Sequence, residues 1–341
     1  MSQVYPHADA HATPATLVLT RRDVAALLDL DACIGAVERA FRLLGEGRCE
    51  PPGTLAIHSP PGGFHIKAGV LGLERAYFAA KTNANFPENP HRHGLPTIQG
   101  VIVLADATCG LPLAILDSME LTALRTAAAT AVAAKHCARP EARVATIVGC
   151  GAQGRVQLRA LRRVVPLDRV YACDREPHVA ERFATELAPE LGLDVRPVAE
   201  PGPAARESDI VVTCTPSRAP ILGPADVRSG TFVAAVGADH PDKQELDPAL
   251  LAAATIVVDV LDQAATMGDL HHALAAGAVA RGDVYAELGE IVAGKKSGRR
   301  SPTETIIFDS TGMALQDVAA AAVLYEKAAR LGRGLAVRLA E

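Results

Sequence analysis

The sequence predicts an α/β protein in which a doubly wound parallel Rossmann sheet is joined to a second, α+β unit. Three observations lead there. The 341 residues are enough for roughly two domains of about 150 residues, each with its own core. From Val144 onward, continuous Val/Ile runs alternate with helical stretches, as in a parallel sheet covered on both faces. From Pro51 to Asp117, short β-type runs are broken by Pro and Gly, the pattern of a mostly antiparallel sheet.

A short strand, Leu17 to Leu19, opens the chain. Asp31 follows as the expected N-cap of a helix that puts Ile34, Val37, Phe41 and Leu44 on one face. A hairpin is expected with arms Ile98 to Ala105 and Leu111 to Leu116 around Asp106 to Gly110. An Ala-rich helix then runs from about Glu120 to Cys137 and stops at the Arg139-Pro140 break. Beyond it come strand Val144 to Val148, helix Ala152 to Arg163, strand Val170 to Cys173 and helix His178 to Leu187. Strands Ile210 to Thr215, Phe232 to Val236 and Ile256 to Asp259 follow. A closing helix, Met313 to Leu331, is expected to return to the first unit. The division drawn is 1–125 with 313–341 for the α+β unit and 126–312 for the Rossmann unit.

Lys+Arg 34 against Asp+Glu 39 leaves a net charge of −5. No basic field is available to attract nucleic acid or an anionic membrane surface. Cys33, Cys49, Cys109, Cys137, Cys150, Cys173 and Cys214 are odd in number and show no metal-ligand spacing. That usage points to a reducing cytoplasm. The first fifteen residues lack a basic segment followed by an apolar one, and nowhere do about 18 apolar residues run together. His91 with His93, and His271 with His272, lack a third ligand at sensible spacing and read as polar surface, so no metal is expected.

The strongest motif is Gly149-Cys150-Gly151-Ala152-Gln153-Gly154, set between a buried strand and an amphipathic helix. Gly149 permits a tight turn, Gly151 clears the approach of a pyrophosphate, and Gly154 lets helix and strand pack closely. Asp174, twenty residues beyond Gly154, ends the next strand, where a carboxylate would accept the ribose hydroxyls of NAD. Arg175 beside it keeps NADP open, because a guanidinium can pair with a 2′-phosphate. Cys150 at a helix start is either a small filler or a thiol of lowered pKa.

Lys81 to Pro90, Asp117 to Ala128, the glycine loop, Thr213 to Arg218, Val236 to Leu246 and Phe308 to Asp317 together resemble the ornithine cyclodeaminase/μ-crystallin family, closest to its archaeal-type alanine dehydrogenase branch. The resemblance covers nearly the whole chain. It implies that the α+β unit binds substrate and dimerises. It also implies NAD(P)-linked hydride transfer at the α-carbon of an amino or imino acid, as in alanine dehydrogenases and Δ1-pyrroline-2-carboxylate or ketimine reductases. Ornithine cyclodeamination with catalytic NAD, and a μ-crystallin-like protein that binds NAD(P)H without turnover, are the alternatives.

Through the same resemblance, Lys81 is the expected carboxylate-binding and proton-donating lysine, and Asp239 the acid/base residue. Lys67 and Arg125 join Lys81 at the substrate. Arg125, Thr126, Gly149, Gly151, Ala152, Gln153, Gly154, Asp174, Arg175, Thr215, Val236, Gly237, Ala238, Asp239, Lys243 and Ser310 are expected at the cofactor. Two departures stand out. Where many members carry a carboxylate-binding arginine, this chain has Gly53-Thr54, leaving Arg48 or Lys67 as substitutes. In Phe64 to Gly69, cyclodeaminases place a carboxylate and this chain offers Lys67. A cation there would repel ornithine's distal ammonium by about 1 to 4 kcal/mol at 4 Å.

Overall fold

The computed structural model describes residues 15–339. Residues 1–14 and 340–341, which the sequence reading assigned to the α+β unit and, at the N-terminus, searched for a leader, lie outside the described residues. Two sheets organise the chain. In the first, seven strands run in the order Leu335–Val337, Thr16–Leu19, Pro112–Asp117, Ile98–Asp106, Ala76–Asn85, Gly62–Gly72, Gly53–Ser59. Thr16–Leu19 is parallel to Pro112–Asp117 and every other neighbouring pair is antiparallel. The strands Gly62–Gly72 and Ala76–Asn85 are 11 and 10 residues long, not the short runs expected from their Gly content.

The second sheet has eight strands, all parallel: Val284–Glu287, Thr255–Val258, Ile306–Asp309, Phe232–Ala235, Ile210–Thr213, Val144–Val148, Arg169–Cys173, Asp194–Val198. Strand order reverses on either side of Val144–Val148, so a crevice opens between the carboxyl ends of that strand and Ile210–Thr213. Open α/β sheets bind their ligands there. A small parallel pair, Arg218–Leu222 with Gln244–Leu246, sits beyond it.

The Ala-rich helix is Ser118–Cys137, begun by Asp117, whose carboxylate accepts the Glu120 N–H at 3.0 Å. Its alanines 127–129, 131, 133 and 134 are all buried, because small side chains let it pass between the helix Ala152–Val164 and strands of both sheets. The division drawn from sequence between Arg125 and Thr126 falls inside this continuous helix. The closing helix, Ala314–Arg330, packs against the helix Leu30–Gly45 and across the strands Gly62–Gly72 and Ala76–Asn85. The N-cap of Leu30–Gly45 is Asp29, two residues before the expected Asp31, and it accepts the Ala32 N–H at 2.8 Å. Among the described residues no helix is long and apolar enough to cross a membrane.

Candidate functional site

Side chains alternate between the two faces of a strand, and the register of the first sheet decides which residues meet. Lys67 lies directly opposite Lys81, and Thr54 opposite Lys67. With His65 and Asn83 they share the inner face, which the helix Ala314–Arg330 covers. Two lysines paired across strands repel each other, so the surroundings must compensate them. The Lys81 ammonium, 4% exposed, pairs with the Asp317 carboxylate at 2.8 Å. Arg125 reaches the same carboxylate from the helix Ser118–Cys137, its Nε 3.0 Å from Asp317 Oδ1, while its Nη1 donates to Gln316 at 2.8 Å. Lys67 instead donates to the backbone carbonyls of Gly312 at 2.6 Å and Thr311 at 3.0 Å.

Burial, and then repulsion from Arg125, press the Lys81 ammonium down to about 7 against the pull of Asp317. Lys67 is lowered for the same reasons, burial first and Arg125 next. Burial also acts to raise the Asp317 carboxyl, but Lys81 and Arg125 outweigh it and hold Asp317 below the usual range. Two cations from two elements thus meet one buried anion, and a third, Lys67, lies beside them on the same sheet face.

Asp239 follows the strand Phe232–Ala235 and faces this cluster from the other sheet. Its side chain is 57% exposed and bonds Lys243 Nζ at 2.6 Å. Burial within the protein pushes its carboxyl up, yet Lys243 and then Lys67 hold it below the usual carboxylate range. His65, on the inner face, has its ring 5.9 Å from that of His240, edge to face. The Asp239 loop therefore touches the first sheet, and the residues of both sheets meet in one crevice.

A cavity of about 470 Å³ lies at the strand-order reversal, lined by Val148, Gly149, Gly151, Asp174, Arg175 and Thr215 among others. Gly149 has φ +100°, a conformation that L side chains rarely adopt. A Cβ on Gly154 would lie 2.0 Å from the Gly149 carbonyl oxygen, whereas a Cβ on Gly151 would meet nothing within 4 Å. One glycine allows the turn, another the close packing, and Gly151 leaves bare backbone facing open space. No side chain caps the helix that starts at Ala152, so its first N–H groups face the cavity with the positive end of the helix dipole. Asp174 Oδ2 accepts the Cys150 N–H at 2.8 Å and Oδ1 the Glu176 N–H at 3.1 Å. That fixes its carboxylate at the rim. These residues fit a dinucleotide.

A model of the ornithine cyclodeaminase/mu-crystallin family matches residues 15–331. The chain belongs to that family. It is 40% identical over 314 residues to an alanine dehydrogenase of Archaeoglobus fulgidus, a match covering 92% of this chain and 95% of that one. Among solved structures, an archaeal alanine dehydrogenase dimer with bound NAD superposes with a TM-score of 0.90 at 39% identity, over 95% of this chain and 99% of that one. The Δ1-pyrroline-2-carboxylate reductase of Thermococcus litoralis, solved with NADH and L-proline, gives 0.87 at 33% identity over 94% and 100%.

Most of the residues that the family resemblance had singled out converge on the crevice. Val236 and Ala238 are buried beneath it, and Ser310 donates its N–H to the Ala235 carbonyl at 2.9 Å. Gln153 bonds Ala123 O at 3.4 Å, tying the glycine loop to the Ala-rich helix, where Thr126 is half-buried. Arg175 extends into solvent, 93% exposed. Lys243, expected at the cofactor, is paired with Asp239. Arg48 bonds Glu46 at 3.0 Å on the surface and supplies nothing here, whereas Lys67 does. Cys150 is buried, and burial pushes its thiol up to about 12, so it is packing and not a reactive thiolate. Sequence reading gave no role to Asp317, Glu245, Asp259 or His65. The signal for Asp317 was present as Gln316-Asp317 in an otherwise Ala-rich helix.

Because Gly151 has free space and Gly154 has none, Gly151→Val is expected to alter unfolding free energy by only about 1 kcal/mol. It should weaken NADH binding at least about tenfold, read by NADH fluorescence titration. Gly154→Val, by contrast, is expected to lower the melting temperature, because its side chain must displace Gly149.

Proposed function

We propose that this protein is an NAD-dependent oxidoreductase acting at the α-carbon of an α-amino or α-imino acid, as an alanine dehydrogenase or a reductase of a cyclic imino acid. The observation that carries the reading is the charge balance in the crevice. Lys67, Lys81 and Arg125 face Asp317, with Asp259 beneath the turn that holds Lys67, while Asp239 and Lys243 neutralise each other. With Lys81 protonated one positive charge remains, and a single substrate carboxylate balances it. Relatives named for alanine and for Δ1-pyrroline-2-carboxylate support the same class.

The glycine loop, with the helix beginning at Ala152, would hold the pyrophosphate, and Asp174 the adenosine ribose. A carboxylate at Asp174 favours NAD, and Arg175 at the rim leaves NADP accessible. Thr215 and the segment Val236–Asp239 would flank the nicotinamide, which when bound supplies or accepts the hydride. Lys67, the least enclosed of the three cations, binds the substrate carboxylate with Lys81 and Arg125 behind it. Lys81, titrating about neutrality, supplies the proton to the substrate nitrogen during imine reduction and takes it back during amine oxidation. Asp239, held ionised by Lys243 and open to solvent, is the second acid/base group, passing protons between Lys81 and water. The two-unit division then has a purpose. Residues 1–125 with 313–341 carry the carboxylate site and 126–312 the dinucleotide site.

The outer face of the first sheet exposes Leu55, Ile57, Phe64, Val70, Val101 and Val103, all 36–54% accessible. The register places them on the face opposite Lys67 and Lys81. A contiguous apolar face of this kind marks an interface, and we infer that a second copy of the chain covers it, giving a homodimer in the cytoplasm. Leu55→Glu combined with Val101→Glu is expected to shift the light-scattering mass to that of one chain without loss of secondary structure by circular dichroism.

The enzymatic reading is tested by following NADH and NADPH absorbance with pyruvate plus ammonium, with other keto acids plus amines, and with Δ1-pyrroline-2-carboxylate. Oxidation of NADH by at least one is expected. NADH binding with no turnover of any would overturn it, and ammonia release from ornithine with no net change in NADH would make the protein a cyclodeaminase. In the same assay, kcat/KM for imine reduction should fall as pH rises through about 7, because Lys81 loses its proton. For amine oxidation it should rise. Lys81→Ala should cost about 10²- to 10⁴-fold in kcat and abolish the inflection.

A further inference from the structure

Behind the crevice, outside the groups assigned to substrate or cofactor, lies a buried carboxylate that no ordinary folding need explains. Glu245 is in the short strand Gln244–Leu246 and is fully buried. Its Oε1 accepts the Thr215 N–H at 2.6 Å and the Thr215 O–H at 2.7 Å, while Oε2 accepts the Gly237 N–H at 2.8 Å. Thr215 follows the strand Ile210–Thr213, and Gly237 follows its neighbour, Phe232–Ala235. One rigid, planar group therefore spans the two loops that leave adjacent strands on the crevice side.

Space around the carboxylate is filled. A Cβ on Gly237 would lie 2.3 Å from the Thr215 carbonyl oxygen and 2.6 Å from the Glu245 carboxyl carbon. The backbone holding Glu245 is itself fixed. The N–H groups of Glu245 and Leu246 both donate to Asp269 Oδ1 at 2.8 Å, and the Leu270 N–H donates to Asp309 Oδ2 at 2.8 Å. Asp309 ends the strand Ile306–Asp309, three residues before the Gly312 carbonyl that holds Lys67. The helix Gly268–Ala275 thus ties the strand Gln244–Leu246 to the carboxyl end of Ile306–Asp309.

We propose that Glu245 is a positioning residue: by clamping Thr215 to Gly237 it fixes the nicotinamide-side walls of the crevice and the placement of Asp239, two residues along the same loop. The proposal rests on the oxidoreductase reading above. A carboxylate suits the task because the Thr215 N–H, the Thr215 hydroxyl and the Gly237 N–H all donate to it, although burial and then the Asp269 charge push its carboxyl up to about 7. Glutamine keeps the shape but turns one acceptor into an N–H donor, so one of the two loops must lose its anchor. A displacement near 1 Å at a reacting centre costs up to about 10²-fold.

The test compares Glu245→Gln, Glu245→Asp and Asp269→Asn with the wild type. In Asp269→Asn the carbonyl oxygen still accepts both N–H groups, and the new amide replaces an oxygen that has no hydrogen-bond partner. Asp269→Asn is expected to keep wild-type kinetics. Glu245→Gln is expected to raise the NADH dissociation constant and lower kcat, each roughly 10- to 100-fold. The kinetic isotope effect with NADH deuterated at the transferred position should grow, as hydride transfer becomes limiting. Glu245→Asp, one methylene shorter but still an acceptor on both sides, should fall between. A folded Glu245→Gln with wild-type NADH affinity and isotope effect would overturn the proposal. If Glu245→Gln does not fold, wild-type values for Glu245→Asp would overturn it equally. NADH affinity is measured without any substrate, so a wild type that binds NADH but turns over no imino acid would count against the oxidoreductase reading and leave the loop clamp to be judged by binding.

Discussion

The inner face of the first sheet depends on one buried anion, Asp317. It lies in the helix Ala314–Arg330 and meets Lys81 from a central strand and Arg125 from the Ala-rich helix, at 2.8 and 3.0 Å. Each of these groups, buried alone, would carry a desolvation penalty of several kcal/mol. Together they are tolerated, and removing the carboxylate would strand two cations in the interior. The final helix of the chain thereby fixes the orientation of a strand and a helix far from it in sequence. Asp317 does not neutralise both partners, and the remainder has a consequence. Lys81 is held near neutrality because Arg125 and burial together outweigh the attraction of Asp317. One imbalance lowers a buried lysine to about 7 and leaves positive charge in the crevice.

Period-two alternation makes the two faces of the same sheet do different work. Lys67 and Lys81 point inward, toward the closing helix. Their strand neighbours Phe64, Val70 and the apolar residues of the adjoining strands point outward. Shifting the register by one residue would exchange the sets, exposing the lysines and burying nothing useful against the helix. The outer apolar face and the inner charged face are therefore specified by one register, and the covering of one stabilises the geometry of the other.

How much of this was legible in the sequence depended on whether the signal was local. The strand Val144–Val148, the glycine loop and the helix after it follow from a contiguous pattern, and their roles differ as the missing Cβ atoms require. The helix Leu30–Gly45 was given Asp31 as its cap in place of Asp29 because two Asp side chains stand two residues apart, and the Ala-rich helix begins at Ser118, two residues before the expected Glu120. The strand Asp194–Val198 was missed because it is a largely exposed edge containing Pro197, with none of the buried Val/Ile run that marks central strands. Val284–Glu287, at the opposite edge, is equally short and half exposed. Asp317 and Glu245 were quoted within family motifs but given no role, since their partners lie 236 residues away in one case and 30 in the other. A buried carboxylate announces itself only through what it faces. The opposition of Lys67 to Lys81 likewise needs the strand register, which hydrophobic patterning does not supply when both strands are rich in Gly and Ala.

One turn ties the two sheets together at the crevice. Asp259, at the end of the strand Thr255–Val258, accepts the Thr311 hydroxyl at 2.8 Å and the Gly312 N–H. The carbonyls of those same two residues hold the Lys67 ammonium. Gly312 has φ +75°, and a Cβ there would lie 2.5 Å from an Arg125 guanidinium nitrogen. This turn belongs to the chain leaving the parallel sheet, yet it holds Lys67 of the first sheet and packs against Arg125 of the Ala-rich helix. Holding Lys67 in place therefore requires the sheets to be docked, and so does facing Asp239 toward it. The placement of both charges is thus a property of one interface, and a change in that turn would be felt at each.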